Sequence, residues 1–567
     1  MGLGVLDVAQ NVEVPGTSNI YDDTRDTTDG PSGASLKYDW TTKEPTVLVP
    51  QPSDDPNDPL NWPLWRRDVI LGILSFVTIL CTTLSSIMAA NTVTIADYEQ
   101  ITFVDAALLT GYHLCGVGVA GILIVPTARV WGKRHLFLLG HVLMIVSCAW
   151  AGGSGTNTKS LLWARIFQGV ALAPFEALVN ACVGDLYFVH LTARLKERGK
   201  RMAVSNVSLF GAAFLTPVFV GKITKTMGWQ WSFYFVAIFL AAALPFMIVF
   251  VPETAYRRPD YLNTDFKHKA GRNESTESHF PLDDTSDEPK PFVPGESGRR
   301  GMSRTEVSAA PVPEKDSLLK SMRLFNGRKT DENFFKLLLR PFPLFLHPGI
   351  LYACLIQGVV IGWAVFIGVV LAIVFLGPPL WFEEDKTGYL YTGAFIGSII
   401  GLILSGLLTD SMNKMMIRLN GGKYEPEFRL LLVFFQLIFA CMGLYGFGWT
   451  ANDVAKYKWL LPDVFFAFLI IGMVMGAVAA SLYIVDAHRE IAVEAFTCLL
   501  VFKNMFSFVL TFFAYNWFAR GGIKHTMIVI GSIQVGICLL TLPMYVFGKW
   551  NRAFCARYDI LEILHLR

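Results

Sequence analysis

The stretch LLWARIFQGVALAPFEAL, residues 161–178, is an apolar run in which Arg165, Gln168 and Glu176 are the only charged or amide side chains. About 20 apolar residues cross the hydrocarbon core of a bilayer as a helix, so this run and its flanks read as a membrane span. At about 100° per residue, Arg165, Gln168, Gly169, Leu172, Glu176 and Asn180 fall on one stripe roughly 120° wide. A charge at bilayer depth costs at least about 2.5–3.5 kcal/mol, so a polar stripe of this kind is expected to line a water-accessible cavity. Arg165 and Glu176 lie about 16 Å apart along the axis, too far to pair, so each needs its own partner.

The rest of the chain supports a lipid environment. Of its 567 residues 53% are hydrophobic and only 17% charged, too apolar a balance for a water-soluble chain of this length. A formal net charge of +2 gives no basic surface for a nucleic acid. Apolar runs near 68–90, 105–127, 135–152, 160–183, 202–222 and 232–251 define spans 1 to 6 at a resolution of roughly 2–4 residues. Runs near 348–376, 389–408, 429–449, 462–485, 494–518 and 525–547 define spans 7 to 12 with the same roughly 2–4-residue latitude. The expected organisation is a disordered N-terminal tail (1–66), a six-helix bundle (67–252), a disordered linker (253–345), a second six-helix bundle (346–549) and a C-terminal tail (550–567). The linker is dense in Ser, Asp, Glu, Lys and Pro, and its RRGMS at 299–303 is a pattern that a basophilic kinase reads.

Eight of the nine cysteines fall inside apolar runs, so no extracellular disulfide framework is expected. Lys and Arg collect in the loops that share a side with both tails, including Arg129, Lys133, Arg134, Lys414, Arg418, Lys423 and Arg429. Positive charge is retained in the cytosol, which puts both termini there. No HExxH pair and no phosphate-cradling glycine loop occurs, so neither a membrane metalloenzyme nor a nucleotide-driven pump is expected, and no cofactor or metal is implied.

Six spans, a polar linker and six spans form the layout of carriers whose halves rock about a central site. The R-x-x-Q-G element of Arg165, Gln168 and Gly169 resembles the one that the major facilitator superfamily carries in span 4, and Gly406 with Asp410 resembles its G-x-x-x-D loop motif between spans 8 and 9. PNDPLNWP (56–63), DLYFVH (185–190), ERGKRMA (197–203), GWQWSFYF (228–235), VPETAY (251–256), YIVDAHRE (483–490), FKNMFSF (502–508), TFFAYNW (511–517) and FGKWNR (547–552), taken in order, are similar to a fungal drug:proton antiporter branch of that family. The resemblance implies an all-α membrane protein of the major facilitator fold, twelve helices in two bundles, with gating residues at Gly132, Lys133, Arg134, Gly406 and Asp410. Three departures stand out. Val125 and Arg129 occupy the Gly and Asp positions of the loop between spans 2 and 3, LTARLK (191–196) intervenes before Glu197, and span 5 carries Gly211, Pro217 and Gly221 in place of the antiporter Gly-Pro pair.

Glu176 is the first candidate for a carboxylate at which proton and solute compete, with Arg165, Gln168 and Asn180 beside it. On span 11, Lys503, Ser507 and Thr511 share a face, and Lys503 lies about 180° round from Glu494. Glu490 and Glu494 are therefore expected at an inner gate, and Lys503 in the cavity. His113 and His141 are further candidates for proton relay. Since span 7 borders the cavity in proteins of the resembled family, Gln357 and Trp363 are expected solute contacts. The expected activity is proton-coupled export of a small organic solute by a monomer in the plasma membrane. Uptake of a cationic nutrient or inorganic cation is the alternative, and a non-transporting nutrient receptor a distant one.

Overall fold

The computed structural model describes residues 52–187, 197–257, 317–377 and 379–567, with short N-terminal pieces at 3–6, 14, 16–19, 38–39 and 46–47. The LTARLK segment, the 299–303 pattern and most of the tail and linker expectations lie outside the described residues.

Lipid offers a backbone no hydrogen-bond partner, so each apolar run must satisfy its own N–H and C=O groups, and a helix does so. The first six spans are Leu64–Ser86, Phe103–Trp131, Arg134–Gly152, Thr158–Leu186, Val204–Met227 and Gln230–Phe250. The next four are Pro348–Leu376, Glu384–Leu419, Pro426–Ala451 and Leu460–Ala487. Spans 11 and 12 belong to one long helical stretch, Arg489–Ile563, folded back at Gly522, whose φ of 69° breaks the helix. Twelve passes result, in two bundles with apolar cores of their own. One core packs around Ile70, Leu74, Leu172 and Phe233, and the other around Trp363, Phe366, Phe447 and Phe466. The nine cysteines are all free thiols.

Spans 5 and 7 contain one wide π turn each, at Val207–Gly211 and Leu355–Val359. A π turn rotates every later side chain relative to an ideal helix and is a frequent mark of a functional site.

The C-terminal end, the described N-terminal piece at 3–6, the described end of the connecting segment and the loops after spans 2, 8 and 10 meet at one face, referred to below as the terminal face. Leu6 N–H donates to Val546 O at 3.0 Å, and Lys329 N–H to Val130 O at 2.7 Å. Two expectations are corrected here. The linker is ordered from Ser317, with helical turns at Leu318–Ser321, Phe334–Leu339 and Pro341–Leu344, because Leu337 and Leu344 find apolar burial and Arg340 finds acidic partners. The C-terminal tail is also folded. Its helix runs Thr541–Arg557, and the buried Arg552 bonds Glu427 at 2.8 Å and Glu425 at 2.9 Å.

Spans 2 and 4 touch through glycine. A Cβ on Gly169 would overlap the carbonyl oxygen of His113, and one on Gly116 would overlap that of Ile166, so two backbones cross with no side chain between them. Overpacking such a crossing costs about 1–3 kcal/mol. Gly169→Ala should therefore lower the thermal midpoint of the detergent-purified protein by several degrees, read by tryptophan fluorescence. An unchanged midpoint would show that the crossing is looser than described.

Candidate functional site

A cavity of about 160 Å³ lies at the seam between the bundles. Spans 1, 2, 4 and 5 supply one wall and spans 7, 8, 10 and 11 the other. Its surface is largely apolar, with Leu172, Phe210, Phe214, Ile361 and Val365, and is dotted with the hydroxyls of Thr82, Ser85, Ser86, Thr110, Tyr391 and Ser507. Among the described residues its only ionic groups are Glu176 from span 4 and Lys503 from span 11. They form an ion pair, Lys503 Nζ to Glu176 Oε1, with the two side chains 11% and 10% exposed. The pair therefore crosses from one bundle to the other. In a surrounding this dry, removing one partner leaves an uncompensated charge, which typically costs about 3–5 kcal/mol.

Lys503 and Ser507 reach the cavity from one face of span 11, and Asn504 joins them. Thr511, the third member of that face, instead donates to Phe508 O and occupies the space against Gly111 of span 2. Among the other span 4 candidates, the structure brings none to the cavity wall. Arg165 is fully buried and donates to Leu84 O of span 1 at 2.9 Å and to Gln168 Oε1 at 2.8 Å. Gln168 in turn donates to Ser147 O of span 3 at 3.2 Å. These two side chains tie spans 1, 3 and 4 together inside the first bundle: Gln168 lies at one edge of the stripe, and Arg165, at its centre, sits about 16 Å along the axis from Glu176, at a level the cavity lining does not reach. Asn180 sits beyond Glu176 and bonds Ser205 and Asn206 of the helix leading into span 5.

Gln357 and Trp363 are likewise not wall residues. Gln357 lies within the π turn, and Trp363 packs edge-on against Phe506 with ring centres 5.7 Å apart. Ile361, Ala364, Val365, Gly368 and Val369 form the span 7 wall instead, and at about 100° per residue Trp363 falls on the opposite face of the same helix. His113 lies 3.4 Å from the hydroxyl of the wall residue Ser85, and His141 is bound to Leu240 O at 2.8 Å.

Both ends of the seam are closed. On the terminal face, Arg129 at the end of span 2 bonds Glu494 at the start of span 11 at 2.6 Å. The resembled family pattern places an Asp at position 129, so here a cation on span 2 makes the contact across the halves. Glu490 pairs with Arg567 of the chain end. Gly132 turns with φ of 93°, and the carboxylate of Glu253 lies beside it, accepting from the N–H of Lys133 at 2.9 Å and of Arg134 at 3.0 Å. Burial works against the Lys133 ammonium, but Asp185 at 2.6 Å more than offsets it and holds its pKa above the usual lysine value. Asp185 and Glu253 thus anchor this loop to its own bundle. Both sit in strings singled out by resemblance, DLYFVH and VPETAY, though their role as loop anchors was not visible there. In the other bundle Gly406 is exposed with open space around it, Asp410 is half-buried, and neither lines the cavity.

On the opposite face spans 5 and 8 close the seam. Lys225 pairs with Glu383 and, at 3.1 Å, with Asp385, while Thr94 donates to Glu384 at 2.8 Å. Here too the backbones meet: a Cβ on Gly388 would overlap Pro217 O, and one on Gly221 would overlap Glu384 O.

A cavity sealed at both ends between two six-helix bundles is the arrangement of a carrier, and comparison with known proteins agrees. The sequence pattern of the Major Facilitator Superfamily matches residues 71–493. Protein HOL1 of Saccharomyces cerevisiae is 24% identical, covering 98% of this chain and 97% of its own length. The MFS transporter cpaT of Aspergillus oryzae is 25% identical, covering 89% of this chain and 91% of its own. Among solved structures, the xylose transporter XylE from E. coli, in a partially occluded inward open conformation, superposes with a TM-score of 0.54 at 11% identity, over 85% of this chain and 97% of that one. The chain belongs to the major facilitator superfamily, and it is a membrane transporter and not an enzyme.

Proposed function

We propose that this transporter exports a small organic solute in exchange for protons across the plasma membrane, with the terminal face in the cytosol. The observation that carries the proposal is the Glu176–Lys503 ion pair inside the cavity. Glu176 is the only carboxylate on the cavity wall, and it has three ways to be neutralised: Lys503, a proton, or a positively charged or donor group of the solute. Occupants that exclude one another at a single group are exchanged, not carried together. That logic yields antiport, and an inward proton gradient then drives the solute outward. Each proton moving through 100 mV supplies about 2.3 kcal/mol, enough for roughly fiftyfold accumulation.

The two seals supply the alternation. Arg129–Glu494 holds the cytosolic end and Lys225–Asp385 the outer end, so opening one requires that its pairs dissociate while the other set stays closed. Glu176 and Lys503 belong to different bundles, so a change in their pairing acts directly on the seam. The apolar wall with scattered hydroxyls suits a compact organic molecule with few polar groups. Relatives named as transporters of this family support the class, and the excess of Lys and Arg in the loops of the terminal face supports its cytosolic placement. The lone wall carboxylate also favours a second reading, uptake of a cationic solute, from which the first differs in direction.

Glu176→Gln should abolish the pH dependence of transport while leaving the protein folded in the membrane. The measurement is accumulation of a fluorescent aromatic amine by inside-out vesicles under an imposed proton gradient, with an entrapped pH dye reading proton flux. At least a tenfold loss of gradient-driven accumulation is expected. Full proton coupling in that variant would overturn the carboxylate assignment, and accumulation only in right-side-out vesicles would favour uptake.

A further inference from the structure

The linker between the bundles ends in a segment that lies across the cytosolic end of the seam. Its first part is fixed to the first bundle. Met322 O accepts from Arg134 at 3.2 Å, Phe325 packs on His135 with ring centres 4.8 Å apart, and Phe334 packs on Trp131 at 5.3 Å. Asp331 pairs at 2.5 Å with Arg257 of the segment following span 6. Its second part is fixed to the other bundle, where Arg340 donates to Leu566 O at 2.8 Å and pairs with Glu494 at 3.3 Å.

Between these anchors lies Glu332. One carboxylate oxygen meets Arg129 at 2.9 Å and the other meets Arg340 at 3.0 Å. Arg129 and Arg340 also share Glu494, at 2.6 and 3.3 Å. The four side chains form a closed ring of alternating charge: Arg129 from span 2, Glu494 from span 11, and Glu332 with Arg340 from the connecting segment. Each ion in it has two opposite partners. Opening the seam at this end parts Arg129 from Glu494, and the ring then retains cohesion only through Glu332.

We propose that Glu332 is a positioning residue of the cytosolic gate, and that the connecting segment is a working part of that gate and not a passive tether. Arg129 stands where the family pattern has an acidic residue, so this seal brings two guanidinium groups to a single buried carboxylate on span 11. Glu332 is the second carboxylate that balances them. It does so from outside both bundles, which places the seal under the control of the linker. Arg129 and Glu332 are about one-third exposed, 36% and 32%, so the ring is open to screening by salt. The inference is independent of how Glu176 is used.

The test reads gate opening directly. Thr110 lines the cavity, and Thr110→Cys in a Cys555→Ser background gives a thiol reached from the cytosol only when that gate opens. Inside-out vesicles holding the full chain are treated with a membrane-impermeant maleimide. Glu332→Gln should raise the labelling rate about fivefold, and labelling from the outer side in right-side-out vesicles should fall. Glu332→Asp should stay within about twofold of the parent. Raising the salt concentration should speed cytosolic labelling in the parent and much less in Glu332→Gln. A parent-like rate and salt response in Glu332→Gln would overturn the proposal, and so would a rise in labelling from both sides, which indicates general loosening. Should Glu332→Gln fail to reach the membrane, a salt-insensitive parent would overturn it equally.

Discussion

Two opposite charges placed in a medium that cannot hydrate them must find each other, and here they do so across the boundary between two otherwise separate bundles. Glu176 and Lys503 are the only ions on the cavity wall, and they come from spans 4 and 11. Everything around them keeps water limited and the pairing conditional. The wall is apolar, the hydroxyls are neutral, and the remaining buried cation of span 4, Arg165, is held within its own bundle by Leu84 and Gln168. The bundles are thus joined inside the cavity by one ion pair and at either end by pairs that include partly exposed side chains.

Packing determines where the joint can move. Spans 2 and 4 meet backbone to backbone at Gly116 and Gly169, which makes the first bundle rigid beside the cavity. Spans 5 and 8 meet in the same way at Gly221 and Gly388, but this contact lies between bundles, where close approach seals the end opposite the terminal face. At the terminal face the seal is ionic rather than steric. The loop after span 2 is fixed by Asp185 and Glu253 of its own bundle, leaving Arg129 at its edge to reach across.

Much of this architecture was legible in the sequence, because a bilayer imposes a length that a run of apolar residues either has or lacks. Twelve spans were visible for that reason, and their observed ends extend past the apolar runs where loops continue the helix. Span 8, for example, begins at Glu384 and runs to Leu419, well beyond the stretch near 389–408. The stripe on span 4 grouped Arg165 and Gln168 with Glu176, whereas in the structure they bond spans 1 and 3, because helical periodicity gives a direction and not the neighbour that lies there. Gln357 and Trp363 rested on the resemblance alone: Gln357 lies within the π turn at Leu355–Val359, and Trp363 on the face of span 7 opposite the wall. The pairings of Glu176 with Lys503 and of Arg129 with Glu494 join positions more than 300 residues apart, which spacing along a chain cannot encode. The described end of the linker carries the apolar cluster FFKLLL at 334–339, a signal obscured when the whole stretch 253–345 is read together for its polar composition.

The central claim is that Glu176 and Lys503 hold the two bundles together by their charge and not by their shape. A double-mutant cycle on thermal unfolding of the purified transporter tests this most directly, using Glu176→Lys, Lys503→Glu and the two combined. Each single reversal buries two like charges and should cost at least about 3 kcal/mol, and the combined exchange restores opposite ones, so the cycle should give a favourable coupling of at least about 6 kcal/mol, with the exchanged protein close to the parent in stability. If the exchange is no more stable than the worse of the single variants, the two side chains do not depend on each other, and the account of the cavity built on them is wrong.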